Sequence, residues 1–145
     1  MKPEFMQTAL NLAKNSGDDI PVGALIVKNG EIIASAVNER EKRQNAVCHA
    51  EILAIQKACK RLNNWRLTDC EMYVTLEPCP MCASAILQSR IEKLYFGAYD
   101  IVNGALGSKC DMRIIMGINI DVLGGIMEQE CTDLLKKYFK VLRKC

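Results

Sequence analysis

Along the N-terminal part of the chain, hydrophobic residues recur first at helical spacing and then in two β-rich runs. Four apolar positions at helical spacing predict a first helix: Phe5, Ala9, Leu12 and Ala13. The turn residues Asn15–Gly17 end that helix, and two β-rich runs follow at Val22–Val27 and Glu31–Val37. The Asn29-Gly30 pair between the runs supplies the positive φ angles of a tight turn, so the two strands are predicted to be antiparallel.

The middle of the chain alternates between helix and strand patterns. The polar segment Asn38–Val47 has no apolar period and is predicted to be a loop. A broad apolar stripe predicts a helix from His49 to about Asn63. A strand, a helix and a second strand are then predicted at Glu71–Leu76, Met81–Gln88 and Lys93–Ala98. This order favours parallel β-α-β pairing and an α/β fold.

The last third of the chain has one clear element. The glycine-rich stretch Gly97–Gly125 shows no clear period, and no element is assigned to it. A long C-terminal helix is predicted from one apolar face: Met127, Cys131, Leu134, Leu135, Tyr138, Phe139 and Leu142. Trp65 is expected in the core, since burial is the common use of its large ring. With no repeat or linker to divide it, the chain is predicted to be a single domain, residues 1–145.

Composition narrows the class of protein. Hydrophobic residues make up 50% of the chain and charged residues 25%, which excludes disorder as the main state. The amphipathic N-terminal segment lacks the apolar stretch of a signal peptide, and the apolar run Val22–Val27 is far shorter than the roughly 18 residues of a membrane span. We therefore expect a cytoplasmic protein with no membrane partner and with reduced thiols. A net charge of +2 does not by itself indicate nucleic-acid binding.

Eight cysteines stand against a single histidine, and two segments combine these residue types. His49-Ala50-Glu51 starts one predicted helix, and Pro78-Cys79-Pro80-Met81-Cys82 starts the next. A catalytic zinc takes three nitrogen or sulfur ligands from the protein and keeps one open position. His49, Cys79 and Cys82 supply that number, because cysteines three apart on a first helical turn lie on the same side.

Glu51 has a different predicted role. Helical residues two positions apart do not face each other, so Glu51 is poorly placed to share the metal with His49. Beside the metal, its carboxylate could accept a proton from water and return it to a leaving group. This combination suits hydrolytic attack on an unsaturated carbon followed by loss of an amine.

The same residues resemble the signature of the zinc-dependent nucleobase deaminases, H-A-E followed by P-C-x-x-C. Within the cytidine/deoxycytidylate deaminase superfamily, the chain most resembles the bacterial tRNA-specific adenosine deaminases. The resemblance runs from Ile20 to about Ser108 in these segments: Pro21-Val22-Gly23-Ala24, Asn38, His49-Ala50-Glu51, Asn64–Leu67, Tyr73–Cys82, Ser89-Arg90-Ile91 and Gly104-Ala105-x-Gly107-Ser108. TLEPCPMC together with GALGS distinguishes this branch.

The resemblance implies a site and a reaction. One zinc ion per subunit would be bound by His49, Cys79 and Cys82, with Glu51 as proton shuttle. Further residues would contact the extruded nucleoside, the first through its side chain and the others through main-chain groups: Asn38, Ala50, Leu76, Glu77 and Pro78. The implied reaction converts the wobble adenosine of a tRNA anticodon loop to inosine and releases ammonia.

The resemblance also implies an architecture. The expected fold is the three-layer α/β/α cytidine-deaminase-like fold, with a mixed five-stranded sheet flanked by helices. The expected assembly is a homodimer whose active sites use residues of both subunits, acting on a tRNA anticodon stem-loop and not on DNA. Two departures bear on the RNA contacts. Ile101-Val102-Asn103 replaces the lysine and glycine common after Asp100, and the segment 109–122 lacks an aromatic and histidine-bearing stretch.

Two alternative functions stay open. The same chemistry could act on a free nucleobase or nucleoside such as guanine, cytosine or cytidine, which the missing lysine after Asp100 favours. The zinc could instead be structural in a binding module, with Cys48 as a fourth ligand, although adjacent helical residues diverge. Cys59, Cys70 and Cys131 are expected to be small buried hydrophobes. Cys48, Cys110 and Cys145 have no assigned role.

Overall fold

The computed structural model describes residues 1–143, and the predicted helices and strands are confirmed with small shifts at their ends. In chain order the elements are α1 (Pro3–Ala13), β1 (Gly23–Lys28), β2 (Glu31–Val37), α2 (Arg40–Arg43), α3 (Ala50–Leu62), β3 (Cys70–Leu76), α4 (Pro80–Gln88), β4 (Lys93–Ala98), α5 (Met112–Met116), β5 (Asp121–Leu123) and α6 (Glu128–Arg143). None of the helices within residues 1–143 is long and apolar enough to cross a membrane.

The strands form one mixed five-stranded sheet in the order β2-β1-β3-β4-β5. β1 pairs antiparallel with both β2 and β3, whereas β4 pairs parallel with β3 and with β5. The predicted hairpin turn is confirmed, since Asn29 and Gly30 have φ angles of 52° and 76°. The predicted parallel pairing of β3 and β4 around α4 is confirmed as well, because a crossover helix joins strands that run in the same direction.

Alternate residues of the sheet face two separate cores. Ala24 and Ile26 of β1 lie in a core that includes Leu53 of α3 and Ile86 of α4. Their neighbours Leu25 and Val27 lie in a second core on the opposite face, with α1 and α6 contributing apolar residues such as Met6, Leu10 and Cys131. A strand places successive side chains on opposite faces, so β1 is buried on both sides. The three-layer α/β/α architecture is therefore confirmed.

Two segments differ from the sequence prediction. Asn38–Val47 was predicted to be a loop but contains the short helix α2, whose Glu41 and Lys42 N–H groups donate to the buried Asp19 carboxylate at 2.7 and 3.2 Å. The Asp19 carboxylate lies 22 positions before Glu41 in the chain, so the local sequence around α2 does not predict this helix. The stretch Gly97–Gly125 contains α5 and β5, which are too short to show a hydrophobic period.

Trp65 was expected in the core, and that prediction is wrong. Its side chain is 52% exposed, and the Arg66 guanidinium lies 4.3 Å from the centre of its ring. The chain leaves α3 through Asn63 in the left-handed conformation, and Leu67 takes the fully buried position after this turn.

The seven cysteines of the described region form no disulfide with one another. Cys70 and Cys131 are buried, and burial raises the pKa of the Cys131 thiol to about 11, so both behave as small hydrophobes. Cys59 is partly buried against the core on the α3 and α4 face. Cys48 and Cys110 also pack in or against that core. Cys145 lies outside the described residues.

Candidate active site

The fold brings the starts of α3 and α4 to one edge of the sheet. β3 and β4 are parallel, so their carboxyl ends at Leu76 and Ala98 lie side by side. His49 is the residue preceding α3 and Cys79 is the residue preceding α4, both in extended backbone conformations. Both residues therefore lie just outside their helices, and their side chains meet in one cluster with Cys82.

His49, Cys79 and Cys82 form a compact cluster. The Nδ1 atom of His49 lies 3.7 Å from Sγ of Cys79 and 3.4 Å from Sγ of Cys82. One ligand atom from each of the three residues lies within 4.8 Å of the others. An imidazole nitrogen and two sulfurs are the donors that zinc prefers, and three such ligands leave one coordination position for a substrate or water. The three residues predicted from sequence therefore fit a catalytic zinc site.

Hydrogen bonding within the cluster favours a thiolate. The Cys82 thiol interacts with the Cys79 sulfur, which lowers the pKa of Cys79 to about 4 and raises the pKa of Cys82. The hydrogen bond with Cys79 raises the pKa of His49. Because the thiolate is the form of cysteine that binds metal, Cys79 is prepared as a ligand by its neighbours.

Glu51 lies beside this cluster on the first turn of α3. Its side chain is only 5% exposed, and burial raises the pKa of its carboxyl group to about 7. The carboxyl group interacts with the Cys82 thiol and with the Glu51 backbone N–H. Glu51 is outside the group of three metal-type ligands in the described chain, which agrees with the prediction that it acts next to the metal. Its catalytic role stays a prediction.

A pocket of about 320 Å³ opens onto the cluster. Its lining combines apolar residues with polar and charged ones: Ile20, Val22, Asn38, Arg40, His49, Ala50, Glu51, Leu76, Glu77, Cys79, Pro80, Asp100 and Asn103. Four of the five residues predicted to contact substrate are in this lining. The exception is Pro78, whose carbonyl oxygen accepts a hydrogen bond from the Ala105 N–H at 2.8 Å. Its role in substrate binding stays a prediction.

Asn38 offers a buried acceptor to this pocket. Its side chain is 7% exposed, and its Nδ2 atom donates to the Ile20 carbonyl at 3.3 Å. Its Oδ1 atom has no hydrogen-bond partner among residues 1–143. A buried acceptor without a partner is costly, so a ligand that donates a hydrogen bond here would be stabilised.

The sequence prediction missed three polar residues of the lining, namely Arg40, Asp100 and Asn103. Asp100 and Asn103 follow the carboxyl end of β4, where ligand sites of parallel α/β sheets occur, and that rule could have found them. Arg40 lies on α2. Its position depends on the tertiary contact between α2 and Asp19, so no local signal was available.

Comparison with known proteins gives consistent matches. Residues 1–98 match the family described as the cytidine and deoxycytidylate deaminase zinc-binding region. A tRNA-specific adenosine deaminase of Bacillus subtilis (strain 168) is 44% identical over 144 residues, which cover 97% of this chain and 89% of the relative. A structure solved in studies of A-to-I editing by tRNA:A34 deaminases at the wobble position of transfer RNA has a TM-score of 0.85 and 37% identity, covering 92% of this chain and 99% of that one.

Another similar solved structure is that of a deaminase with a different named substrate, guanine. The X-ray structure of guanine deaminase from Bacillus subtilis has a TM-score of 0.65 and 42% identity, and covers 68% of this chain and 66% of that chain. The family match includes all three ligand residues and Glu51. The chain therefore belongs to the zinc-dependent cytidine and deoxycytidylate deaminase family, with His49, Cys79 and Cys82 positioned to coordinate the metal ion.

Proposed function

We propose that this protein is a zinc-dependent hydrolytic deaminase that converts the wobble adenosine of a tRNA anticodon loop to inosine. The observation that carries the proposal is the position of the Glu51 carboxyl group beside the three zinc-type ligands, inside a pocket of about 320 Å³. The near full-length similarity to tRNA-specific adenosine deaminases supports adenosine in tRNA as the substrate.

Each residue of the site has a separate role in the proposed reaction. His49, Cys79 and Cys82 would hold the zinc ion, which would supply the Lewis acidity that makes water nucleophilic near neutral pH. Glu51 removes a proton from the attacking water and delivers it to the departing amino group. Asn38 positions the nucleoside through its unpaired Oδ1 acceptor. The new C–O bond forms at C6 and the C6–N bond breaks, so adenosine and water give inosine and ammonia.

Features of the pocket support an RNA substrate. Arg40 lines the same pocket as His49 and Glu51, so its positive charge lies near the site. Among residues 1–143, Arg40 carries no salt bridge, so its charge is available to a phosphate group. Glu51 is a buried residue of the pocket lining, and a base inside a duplex cannot reach it. An unpaired nucleotide of a loop can be extruded into the pocket and reach Glu51.

We also propose a cytoplasmic homodimer in which residues 1–145 form a single deaminase domain that acts on RNA and not on DNA or at a membrane. The neighbouring Ile114 and Ile115 of α5 are 82% and 65% exposed. Two adjacent exposed isoleucines are unfavourable in water, and a second subunit would cover them. Sedimentation equilibrium of the full chain should give twice the 16.2 kDa chain mass; a monomer at micromolar concentration would contradict the dimer.

A free nucleobase is the second candidate substrate. The similarity to a guanine deaminase structure favours it, as does the absence of a basic residue between Asp100 and Gly104. Both candidates use the same zinc chemistry, so only the substrate distinguishes them.

The deciding experiment offers the zinc-loaded protein four substrates. These are an anticodon stem-loop with adenosine at the wobble position, the same RNA with that adenosine paired in a duplex, free adenosine and free guanine. We expect inosine and ammonia from the unpaired stem-loop alone. Ammonia from guanine or adenosine with none from the stem-loop would overturn the tRNA proposal, and equal rates on loop and duplex would overturn the requirement for an unpaired nucleotide.

A further inference from the structure

Glu77 carries a buried carboxylate that the zinc chemistry does not use. It follows β3 directly, precedes the ligand Cys79 by two residues and is only 2% exposed. No salt bridge of the described chain involves Glu77. A buried carboxylate without a positive partner is costly unless hydrogen bonds replace those of water. The groups that donate hydrogen bonds to this carboxylate therefore indicate its structural role.

All four donors to the Glu77 side chain come from one segment, Asp100–Ser108. The Asp100 N–H donates to Oε1 at 3.1 Å. The Leu106 and Ser108 N–H groups donate to Oε2, each at 3.1 Å, and the Ser108 hydroxyl donates to Oε1. One carboxylate thus gathers backbone groups spread over nine positions of an irregular segment.

The segment wraps closely around this carboxylate. A Cβ atom added at Gly104 would collide with the Glu77 carboxyl group and with the Asp100 carbonyl oxygen. Glycine is therefore required at position 104 because of the close approach of backbone to side chain. The Ala105 N–H also donates to the Pro78 carbonyl at 2.8 Å, which ties the same segment to the residue that precedes Cys79.

The anchored segment forms part of the pocket wall. Asp100 and Asn103 line the pocket that contains His49 and Glu51. The Asp100 Oδ1 atom accepts hydrogen bonds from the Val102 and Asn103 N–H groups at 3.1 and 3.0 Å. A continuous set of hydrogen bonds therefore leads from Glu77 through Asp100 to Asn103.

We infer that Glu77 is a positioning residue. Its side chain holds Asp100 and Asn103 in the arrangement that binds the substrate nucleotide. This inference rests on the proposed function. Substrate binding and the chemical step would then depend on different residues. The zinc ligands and Glu51 lie at the starts of α3 and α4, whereas Glu77 holds the Asp100–Asn103 part of the pocket wall. Loss of the carboxylate should weaken binding far more than it slows the chemical step.

The test compares Glu77→Gln, Ser108→Ala and the wild type on the anticodon stem-loop, with zinc content measured for each. Glu77→Gln keeps the shape of the side chain but turns an amide N–H toward backbone donors. We expect KM to rise about tenfold or more while kcat stays within about threefold. Ser108→Ala removes one donor of the four and should raise KM about threefold. Glu71→Gln, at the opposite end of β3, is the matched control and should leave both constants unchanged.

The double variant distinguishes a shared function from separate damage. If Ser108 acts only through Glu77, Glu77→Gln/Ser108→Ala should have the KM of Glu77→Gln alone. A fall in kcat at unchanged KM, loss of zinc, or additive effects in the double variant would overturn the inference. If Glu77→Gln does not fold, an unchanged KM in Ser108→Ala overturns it. If the wild type deaminates only a free base, the proposed function is wrong, and the same comparison on that base still decides the role of Glu77.

Discussion

The Sγ atom of Cys82 lies 3.4 Å from Nδ1 of His49, although 33 positions separate the two residues in the chain. His49 precedes α3 and Cys82 lies in the first turn of α4, and both helices start where the carboxyl ends of β3 and β4 meet. The sheet therefore fixes the distance between the ligands.

Cys79→Ala should abolish zinc binding and activity together. It removes one of three ligands, and the two that remain do not complete a zinc site. Zinc content should fall from about one ion per chain to a small fraction, as measured by atomic spectroscopy on dialysed protein. Cys48→Ala is the control, since Cys48 is a buried cysteine that adjoins His49 but is outside the cluster. Loss of zinc in Cys48→Ala would instead indicate a four-ligand structural site.

Glu51→Gln should retain zinc and lose turnover. The amide keeps the size of the buried side chain but cannot carry a proton from water to the leaving group, so kcat should fall by about 100-fold or more. Ammonia release and zinc content are measured on the same preparation. Glu31→Gln, an exposed change at the start of β2, should match the wild type. A Glu51→Gln rate within a few fold of wild type would exclude Glu51 as the proton shuttle.

Asn38→Ala should raise KM by about tenfold, because the substrate loses its buried acceptor. Asn38→Asp should be no better, since it places a carboxylate oxygen where Nδ2 now donates to the Ile20 carbonyl. Both constants are measured on the stem-loop, with the exposed Asn119→Ala as control. If Asn38→Ala left KM unchanged, Asn38 would be only a residue that ends β2.

Asp111 should make stability depend on pH. It caps α5 by accepting from the Arg113 N–H at 3.0 Å, and its hydrogen bond with the Arg113 guanidinium lowers the pKa of the carboxyl group. The ionised form therefore favours the folded state above the ordinary pKa of about 4, and this stabilisation is lost as pH falls through the lowered value.

The corresponding measurement is chemical denaturation of Asp111→Asn and Asp111→Ala between pH 7 and pH 3. At pH 7, Asp111→Ala should lose about 1 kcal/mol of unfolding free energy through the missing cap. Asp111→Asn can still cap, so it isolates the charge, and its difference from wild type should shrink toward pH 3. Asp18→Asn, on an exposed residue, is the control. A difference that stays constant with pH would show that the charge contributes nothing.

Elements long enough to show a period were predictable, and shorter ones were not. α1 and α3 span 11 and 13 residues and have clear apolar faces. α2, α5 and β5 have four, five and three residues, so a period cannot be recognised in them. Their positions depend on contacts from elsewhere, such as the Asp19 carboxylate at the start of α2.

The metal ligands could be predicted from the sequence, because the short motifs His49–Glu51 and Pro78–Cys82 together carry the imidazole and thiol donors that zinc prefers. The pocket wall could not be identified in this way. The Glu77 carboxylate holds Asp100, Leu106 and Ser108, which lie 23 to 31 positions away. Residue spacing gives no information on that contact, because only the parallel pairing of β3 and β4 brings the segments together. Local chemistry was thus set by the sequence, and the shape of the substrate site was decided by tertiary packing.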